Sequence, residues 1–159
     1  MPNQKITPFL WFDTQAEEAA EFYTSLFKNS KILQVSRYGD AGPGPKGSVM
    51  VVSFQLAGQE FTALNGGPRF KFSEAFSFVV KCENQKEIDE YWRKLTAGGG
   101  QESMCGWLKD RFGFSWQIVP AEMGKLMSQK DPQKAGRVMQ AMLQMKKLDI
   151  AKLEAAANG

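Results

Sequence analysis

Two stretches of the chain show the same succession of apolar and polar positions. Residues 6–12 form an apolar, strand-like run, and apolar residues then recur three and four positions apart, as in a helix. Residues 75–82 precede a second helical pattern of the same kind. The two helices share one motif, which reads Glu21-Phe22-Tyr23-x-x-Leu26 and then Glu90-Tyr91-Trp92-x-x-Leu95. This similarity indicates an internal repeat, which we place at residues 6–67 and 75–120.

Capping residues mark the predicted start of each helix. Thr14 and Glu17 have the spacing of a capping box, with Asp13 as an alternative N-cap. Asn84 and Glu87 repeat that spacing before the second helix, which three glycines at 98–100 would end.

Strand-like segments follow each helix. Three follow the first, at 32–38, 48–56 and 60–65, and two clear ones follow the second, at 105–108 and 114–119. A further strand near 101–104 is poorly marked. Each half is therefore β-α-β-β-β in order. We predict an α+β fold in which two βαβββ modules form a curved mixed sheet, with helices outside and a cleft on the inner faces.

The pattern becomes helical beyond Pro120, so we predict C-terminal helices over 121–157. Asp131 is expected to cap one of them, with Pro132 at its first position. The residues expected to face inward on this helix are Val138, Met139, Met142 and Leu143. Its methionines suit packing on the domain or on a dimer mate. With 159 residues, 43% of them apolar, we expect one domain spanning 1–159.

Charge and cysteine content narrow the class of protein. The net charge of +3 comes mainly from lysines after residue 124, and no aromatic residues interleave with them, so a solvated helix face is favoured over nucleic-acid binding. No apolar run suits a membrane span, and the N-terminus lacks the apolar core of a signal peptide. Cys82 and Cys105 are too far apart for a redox motif, and two reduced thiols favour the cytoplasm.

The chain contains no histidine. Imidazole is the commonest metal ligand and the only side chain that normally titrates near neutral pH. Any chemistry must therefore use carboxylates, amines, thiols, phenols or amides. Cys105 lies near Lys109 and Arg111, which would favour a reactive thiolate, but the usual base partner is missing and a structural thiol is the preferred interpretation.

Alternation on the first strand predicts a candidate pocket wall. Thr7, Phe9 and Trp11 share one face, while Leu10 and Phe12 share the other. If the second set packs beneath the helix, the first set lines the cleft, although simple core filling would give the same pattern. Trp11 is the best candidate for a ligand wall, because an indole combines a flat face with one donor.

The repeat resembles a known superfamily on specific segments. The segments are 6–13, 17–23, 37–39, 64–68, 105–113 and 115–120. Two of them contain the sequences Leu64-Asn65-Gly66-Gly67-Pro68 and Cys105-Gly106-Trp107-Leu108-Lys109-Asp110. These resemble the vicinal oxygen chelate superfamily of glyoxalases, dioxygenases and bleomycin-resistance proteins. The similarity is greatest to the PhnB-like group, labelled "3-demethylubiquinone-9 3-methyltransferase domain". It extends over essentially the whole chain, including the C-terminal helix.

The resemblance implies where a metal would bind. Metal-dependent members carry His and Glu ligands at positions that match Thr7, Asn65 (or Ala63 on the same face), Ser77 and Gln117. Neutral hydroxyls and amides leave a divalent ion's charge unbalanced, so we predict no metal and no cofactor. Binding of S-adenosylmethionine is also disfavoured, because no glycine-rich turn opens a doubly wound sheet.

Three functional hypotheses remain open. The leading one is a metal-free protein that binds or sequesters a small molecule; whether it is an enzyme is left open. The alternatives are a metal-dependent glyoxalase- or dioxygenase-type enzyme and an interaction domain with a filled cleft. We expect the ligand pocket to be lined by Thr7, Phe9, Trp11, Asn65, Ser77 and Gln117. This neutral lining suits an uncharged ligand, with Arg37 or Arg111 at the rim to accept a carboxylate. The resemblance also implies a homodimer.

Overall fold

The computed structural model describes residues 4–159, which fall into two compact units that meet between Phe72 and Ser73. The boundary lies between the two predicted repeats, and each unit contains one βαβββ module. We call them the first and second modules, and we call residues 121–159 the extension. No helix in the described range is long and apolar enough to cross a membrane.

From residue 4 onward, the first module contains one helix and four strands. They are β1 (Phe9–Phe12), α1 (Ala16–Leu26), β2 (Lys31–Arg37), β3 (Val49–Leu56) and β4 (Gln59–Asn65). The spatial order is β1-β4-β3-β2, in which β1 runs parallel to β4 and the other pairs are antiparallel. The turn between β3 and β4 is tight, because Ala57 and Gly58 both adopt positive φ angles.

The second module repeats this arrangement. Its elements are β5 (Ser77–Cys82), α2 (Gln85–Thr96), β6 (Gln101–Glu102), β7 (Trp107–Lys109) and β8 (Ser115–Pro120). The order β5-β8-β7-β6 again puts the first strand parallel to the last. The predicted α+β fold with two βαβββ modules is therefore confirmed, with the eight strands grouped in two mixed sheets of four. The poorly marked strand near 101–104 is only two residues long.

Each sheet is buried on the face that its own helix covers. In the first module, Leu10 and Phe12 are buried, and Phe54 contacts Tyr23 of α1 with ring centroids 6.5 Å apart. The predicted alternation on β1 is confirmed, because Phe9 on the opposite face is 59% exposed. We call this opposite face of each sheet its open face.

The second module buries the corresponding face beneath α2. Ile88, Trp92 and Leu95 of the helix and Trp116 and Ile118 of β8 are all buried. The Asn84 side chain caps α2 by accepting from the Glu87 N–H at 2.9 Å, and Glu87 accepts from the Glu83 N–H at 2.8 Å. The cap predicted for this helix is confirmed.

The extension forms three helices: α3 (Met123–Met127), α4 (Pro132–Leu143) and α5 (Ile150–Asn158). Asp131 caps α4 with Pro132 at its start, as predicted. Their shared core consists of Leu126, Val138, Leu148, Leu153 and Ala157, with Met142 partly buried against it. Met139 and Leu143 are 38% and 52% exposed, so their predicted inward orientation is wrong. Each follows an inward residue by one position, about 100° further round the helix.

Specific hydrogen bonds attach the extension to the second module. The Gln85 amide donates to the Leu148 carbonyl at 3.0 Å and accepts from the Ile150 N–H at 2.8 Å. The Gly106 N–H donates to the Lys146 carbonyl at 2.8 Å. Gly106 has φ +84°, and a Cβ there would lie 2.9 Å from the Ile118 carbonyl and 3.0 Å from Leu148, so only glycine fits this contact.

Candidate functional site

The start of α1 differs from its prediction. Gln15 is the N-cap residue and makes no side-chain capping bond. Instead, the Ala16 N–H donates to the Asn65 side-chain oxygen at 2.8 Å. The predicted cap by Thr14 or Asp13 is wrong, because the end of β4 brings an amide to this helix terminus from 49 residues away.

Asn65 ties several segments of the first module together. Its amide nitrogen donates to the Val49 carbonyl at 3.1 Å, and its backbone carbonyl accepts from the Tyr38 hydroxyl at 2.5 Å. Its register partner is Phe12, so its side chain lies on the helix-covered face. Ala63, opposite Leu10, lies there too. Asn65, which was expected to line one pocket with Trp11, therefore lies on the opposite face of the sheet from Trp11.

A cavity of about 350 Å³ lies beside Asn65 in the first module. Its lining includes Asp13, Thr14, Glu17 and Tyr38, together with the loop after β2. Gly44 lies against the Tyr38 ring so closely that an added Cβ would be 2.2 Å from it. The lining thus combines carboxylates with an aromatic ring whose hydroxyl is already bonded.

Trp11 lies on the open face of the first module. Its indole N–H donates to the Gly67 carbonyl at 2.9 Å, and its ring meets Phe70 edge-on at 4.9 Å. The one polar group of this side chain is therefore occupied within the module. Phe9 and Thr7 are exposed, Thr7 lying ahead of β1. Two aromatic rings therefore stand on the edge strand of this face, next to Thr62 of β4, the register partner of Phe9.

Ser77 and Gln117 are brought together on the open face of the second module. The Gln117 amide nitrogen donates to the Ser77 hydroxyl oxygen at 2.9 Å across the parallel pair β5–β8. Val79, the register partner of Gln117, is 51% exposed on the same face. Two of the predicted pocket residues therefore form one polar pair with an apolar neighbour.

Two further polar residues of this face were missed in the predicted pocket. Lys109 and Ser115 are register partners on β7 and β8, and Ser77 is the partner of Ser115 on the other side. Lys109 forms an ion pair with Glu74. This contact lowers the pKa of the Glu74 carboxyl, mainly through the hydrogen bond from Lys109. The spacing of Trp107 and Lys109, two residues apart, was the available indication that both share a strand face.

Ser115 is 1% exposed, and its hydroxyl is buried without a hydrogen-bond partner among the described residues. It lines a shallow cavity of about 210 Å³ with Glu74, Gln101, Ser103, Trp107 and Lys109. Buried polar groups are nearly always hydrogen-bonded, so the Ser115 hydroxyl is an exception that lacks a hydrogen-bond partner among the described residues.

The two predicted rim arginines lie at strand ends. Arg37 ends β2 and donates to the Gly47 carbonyl at 3.2 Å. Arg111 follows β7 in a turn and stacks on the Phe112 ring at 4.8 Å. Asp110 organises that turn by accepting from the Phe112 and Phe114 N–H groups. Its other carboxylate oxygen accepts from the Trp116 indole. A ligand contact by either arginine stays a prediction.

The two thiols are free and differ in their surroundings. Burial raises the pKa of the Cys82 thiol to about 12, with Glu87 and Glu83 adding to the effect. Cys105 is half-buried at a positive φ of 61°, and its N–H donates to the Met145 carbonyl at 2.7 Å. This turn explains a structural role for Cys105, and its reactivity stays a prediction.

The residues at the family's metal positions do not fit a divalent ion. Ser77 and Gln117 bond each other, and the Asn65 amide is engaged at α1. Thr7 offers only a neutral hydroxyl. Within residues 4–159, no three His, Cys, Asp or Glu side chains cluster so that they could hold a metal. Neutral oxygens alone would leave the ion's charge unbalanced.

Comparison with known proteins agrees with the fold. A family model described as 3-demethylubiquinone-9 3-methyltransferase matches residues 4–119. A PhnB protein from Bacillus cereus is 43% identical with a TM-score of 0.67, over 73% of this chain and 99% of that one. No curated protein matches.

Two more distant structures share the fold alone. Protein PA1353 from Pseudomonas aeruginosa is 19% identical, with a TM-score of 0.61 over 74% of this chain and 98% of that one. The fosfomycin resistance protein FosX from Listeria monocytogenes, complexed with Mn(II) and sulfate, is 14% identical. Its TM-score is 0.53 over 80% of this chain and 97% of that one.

The family match covers both modules and ends at residue 119. The extension therefore lies outside it, although the sequence resemblance was expected to include the C-terminal helix. The match over the two modules and the identity to the Bacillus cereus protein lead to one conclusion. The chain belongs to the 3-demethylubiquinone-9 3-methyltransferase, or PhnB-like, family of the vicinal oxygen chelate superfamily.

Proposed function

We propose that this protein binds a small molecule on the open face of the second module, without a metal. The observation that carries this proposal is the bonded pair of Ser77 and Gln117 beside the unpartnered Ser115 hydroxyl. Polar groups held in place by a sheet suit recognition, because little ordering is needed when a ligand binds.

The chemistry of the pair supports binding. Gln117 uses its amide nitrogen on Ser77, which leaves its carbonyl oxygen as an acceptor. The Ser77 hydroxyl accepts that bond and keeps its own proton as a donor. Val79 and Trp107 flank Gln117 in register and supply apolar surface. This mixture of apolar walls and few polar groups is typical of small-molecule sites.

Methyl transfer from S-adenosylmethionine is not part of the proposal, despite the family's label. The usual site for that cofactor lies at the glycine-rich turn of a doubly wound parallel sheet. Each sheet here has one parallel pair and two antiparallel pairs. Fold alone does not set the reaction, so the proposal rests on the side chains of the open face.

We also propose that the protein is a homodimer. Both modules expose large apolar side chains, including Phe9 and Phe70 in the first and Phe76 and Val79 in the second. Exposed apolar patches mark interaction surfaces. Sedimentation should give twice the 17.8 kDa chain mass, whereas a single-chain mass at micromolar concentration would contradict the dimer.

The binding proposal is tested with a screen of small molecules, both uncharged ones and ones that carry a carboxylate, read by tryptophan fluorescence. For a molecule that binds, Gln117→Leu should weaken affinity by roughly 0.5–1.5 kcal/mol through loss of one hydrogen bond. Gln140→Leu, an exposed position on α4, is the matched control and should have no effect. Unchanged affinity in Gln117→Leu would place the site elsewhere.

Elemental analysis of the purified protein tests the metal-free part separately. We expect no metal at near-stoichiometric amounts, because the donor set lacks imidazole and clustered carboxylates. Stoichiometric zinc, nickel, iron or manganese that resists mild chelation would contradict the metal-free proposal. The location of the binding site on the open face would then still be tested by the affinity of Gln117→Leu.

A further inference from the structure

We propose that Lys109 and Ser115 form a subsite for a carboxylate of the ligand, and that Glu74 occupies this subsite until the ligand displaces it. This inference rests on the proposed function, since it concerns the same open face. It goes further in naming an anionic ligand class and a side chain that competes with it.

The position of Lys109 is set by the sheet. β7 pairs with β8 so that Lys109 is opposite Ser115, and β5 places Ser77 on the other side of Ser115. Side chains of register partners lie on one face. The ammonium, the buried hydroxyl and the Ser77–Gln117 pair are therefore neighbours across three adjacent strands.

Glu74 shows which group fits Lys109. Its carboxylate is bound directly by the ammonium, and both residues line the 210 Å³ cavity. Glu74 lies before β5 rather than in a strand, and its side chain is 61% exposed. An exposed ion pair of this kind is weak, so a ligand carboxylate that also gains apolar contacts can replace it.

Ser115 is the second observation that indicates a ligand. Glu74 satisfies Lys109 but leaves the Ser115 hydroxyl unbonded. A carboxylate has two oxygens and can accept hydrogen bonds on both. A ligand carboxylate at this position would accept from the ammonium and from the hydroxyl together, which the internal carboxylate does not do.

The test compares benzoate with benzamide, its uncharged isostere, by calorimetry. Glu74→Gln removes the competing charge, so benzoate affinity should rise about two- to fivefold while benzamide affinity stays unchanged. Lys109→Met should remove the preference for benzoate over benzamide. Ser115→Ala in the Glu74→Gln background should lower benzoate affinity by several fold, because one hydrogen bond is lost.

Glu90 and Lys94 provide a matched control, because they form an exposed ion pair on α2 of the same module. Glu90→Gln and Lys94→Met should leave both probes unaffected. Thermal unfolding of each variant verifies that the fold is retained. All the substituted ion-pair residues are at least partly exposed, so none should prevent folding.

The outcomes separate the two proposals. Benzoate affinity unchanged by Glu74→Gln, or a benzoate preference that survives Lys109→Met, overturns the carboxylate subsite. If benzamide binding still depends on Gln117 in that case, the proposed binding face stands alone. If neither probe responds to Gln117→Leu, Glu74→Gln or Lys109→Met, both proposals fail.

Discussion

The two modules share one strand order but complete their sheets differently. In the first, β2 and β3 have seven and eight residues and pair along most of their length. In the second, the corresponding β6 and β7 have two and three residues. The extension compensates for the short strands, because the Cys105 and Gly106 N–H groups donate to the Met145 and Lys146 carbonyls. In the same topology, the backbone groups at this end of the sheet can therefore be hydrogen-bonded either by long paired strands or by a segment distant in sequence.

The open faces of the modules differ in chemistry as well. On its edge strand β1, the first presents the rings of Phe9 and Trp11, and the indole N–H of Trp11 is already bonded. The neighbouring strands β4 and β3 place Thr62 and Ser53 on the same face. The second carries Ser77, Gln117 and Lys109. The repeat thus keeps its backbone plan, while the parallel strand pair carries aromatic rings in one module and the bonded Ser77–Gln117 pair in the other.

The largest expected effect concerns the extension. Leu148→Ala should destabilise the protein by about 2–5 kcal/mol, since Leu148 is fully buried and the change leaves a cavity. Leu143→Ala on the exposed side of α4 should cost under about 0.5 kcal/mol. Urea unfolding measures both. Equal small losses would mean that the extension does not complete the second module.

The two helix caps come next. Asn65→Ala should cost about 1–3 kcal/mol, because it strands the Ala16 N–H and the Val49 carbonyl. Asn84→Ala removes one exposed capping bond and should cost about 1 kcal/mol. Thermal unfolding compares the two variants. A larger loss for Asn84→Ala would contradict the view that Asn65 ties the first module together.

The smallest effect concerns the surface link between α2 and the extension. Lys147 and then Gln85 hydrogen-bond Asp89 and lower its pKa below the ordinary 3.8. A carboxyl group whose pKa is lower in the folded protein than in the unfolded chain stabilises the fold at pH values above the unfolded-state pKa. This stabilisation is lost as the pH falls through the folded-state pKa.

Asp89→Asn should therefore cost less than about 1 kcal/mol at pH 7, because the ion pair is exposed. The difference from the unaltered protein should shrink below pH 3.8. Unfolding free energies measured at both pH values provide the check. A difference that grows on acidification would rule out the ion pair as its source.

Sequence patterns predicted what depends on neighbouring residues. The repeat, the Asn84–Glu87 cap and the start of α4 all follow from short spacings, and the structure confirms them. The cap of α1 was mispredicted because the Ala16 N–H at the start of this helix donates to Asn65, which is distant in sequence. The face on which Asn65 lies was equally hidden from the sequence, since it depends on the pairing of Asn65 with Phe12.

The candidate site shows the same limit. Ser77 and Gln117 were predicted from the resemblance, but their contact depends on the β5–β8 register. The predicted strand ended at residue 108 and so left out Lys109, because Asp110 and Gly113 beyond it have strong turn preferences. The unpartnered hydroxyl of Ser115 has no counterpart in any sequence pattern.

The attachment of the extension through Gln85 has a consequence for synthesis on the ribosome. All the elements of the first module lie before residue 73, so its hydrogen bonds can form while the rest of the chain is still being translated. The Gln85 side chain must wait for partners 63 and 65 residues later, at Leu148 and Ile150. Domains fold in the order in which they emerge. We therefore expect a released fragment that ends at residue 120 to protect the first module from proteolysis and to leave the second accessible.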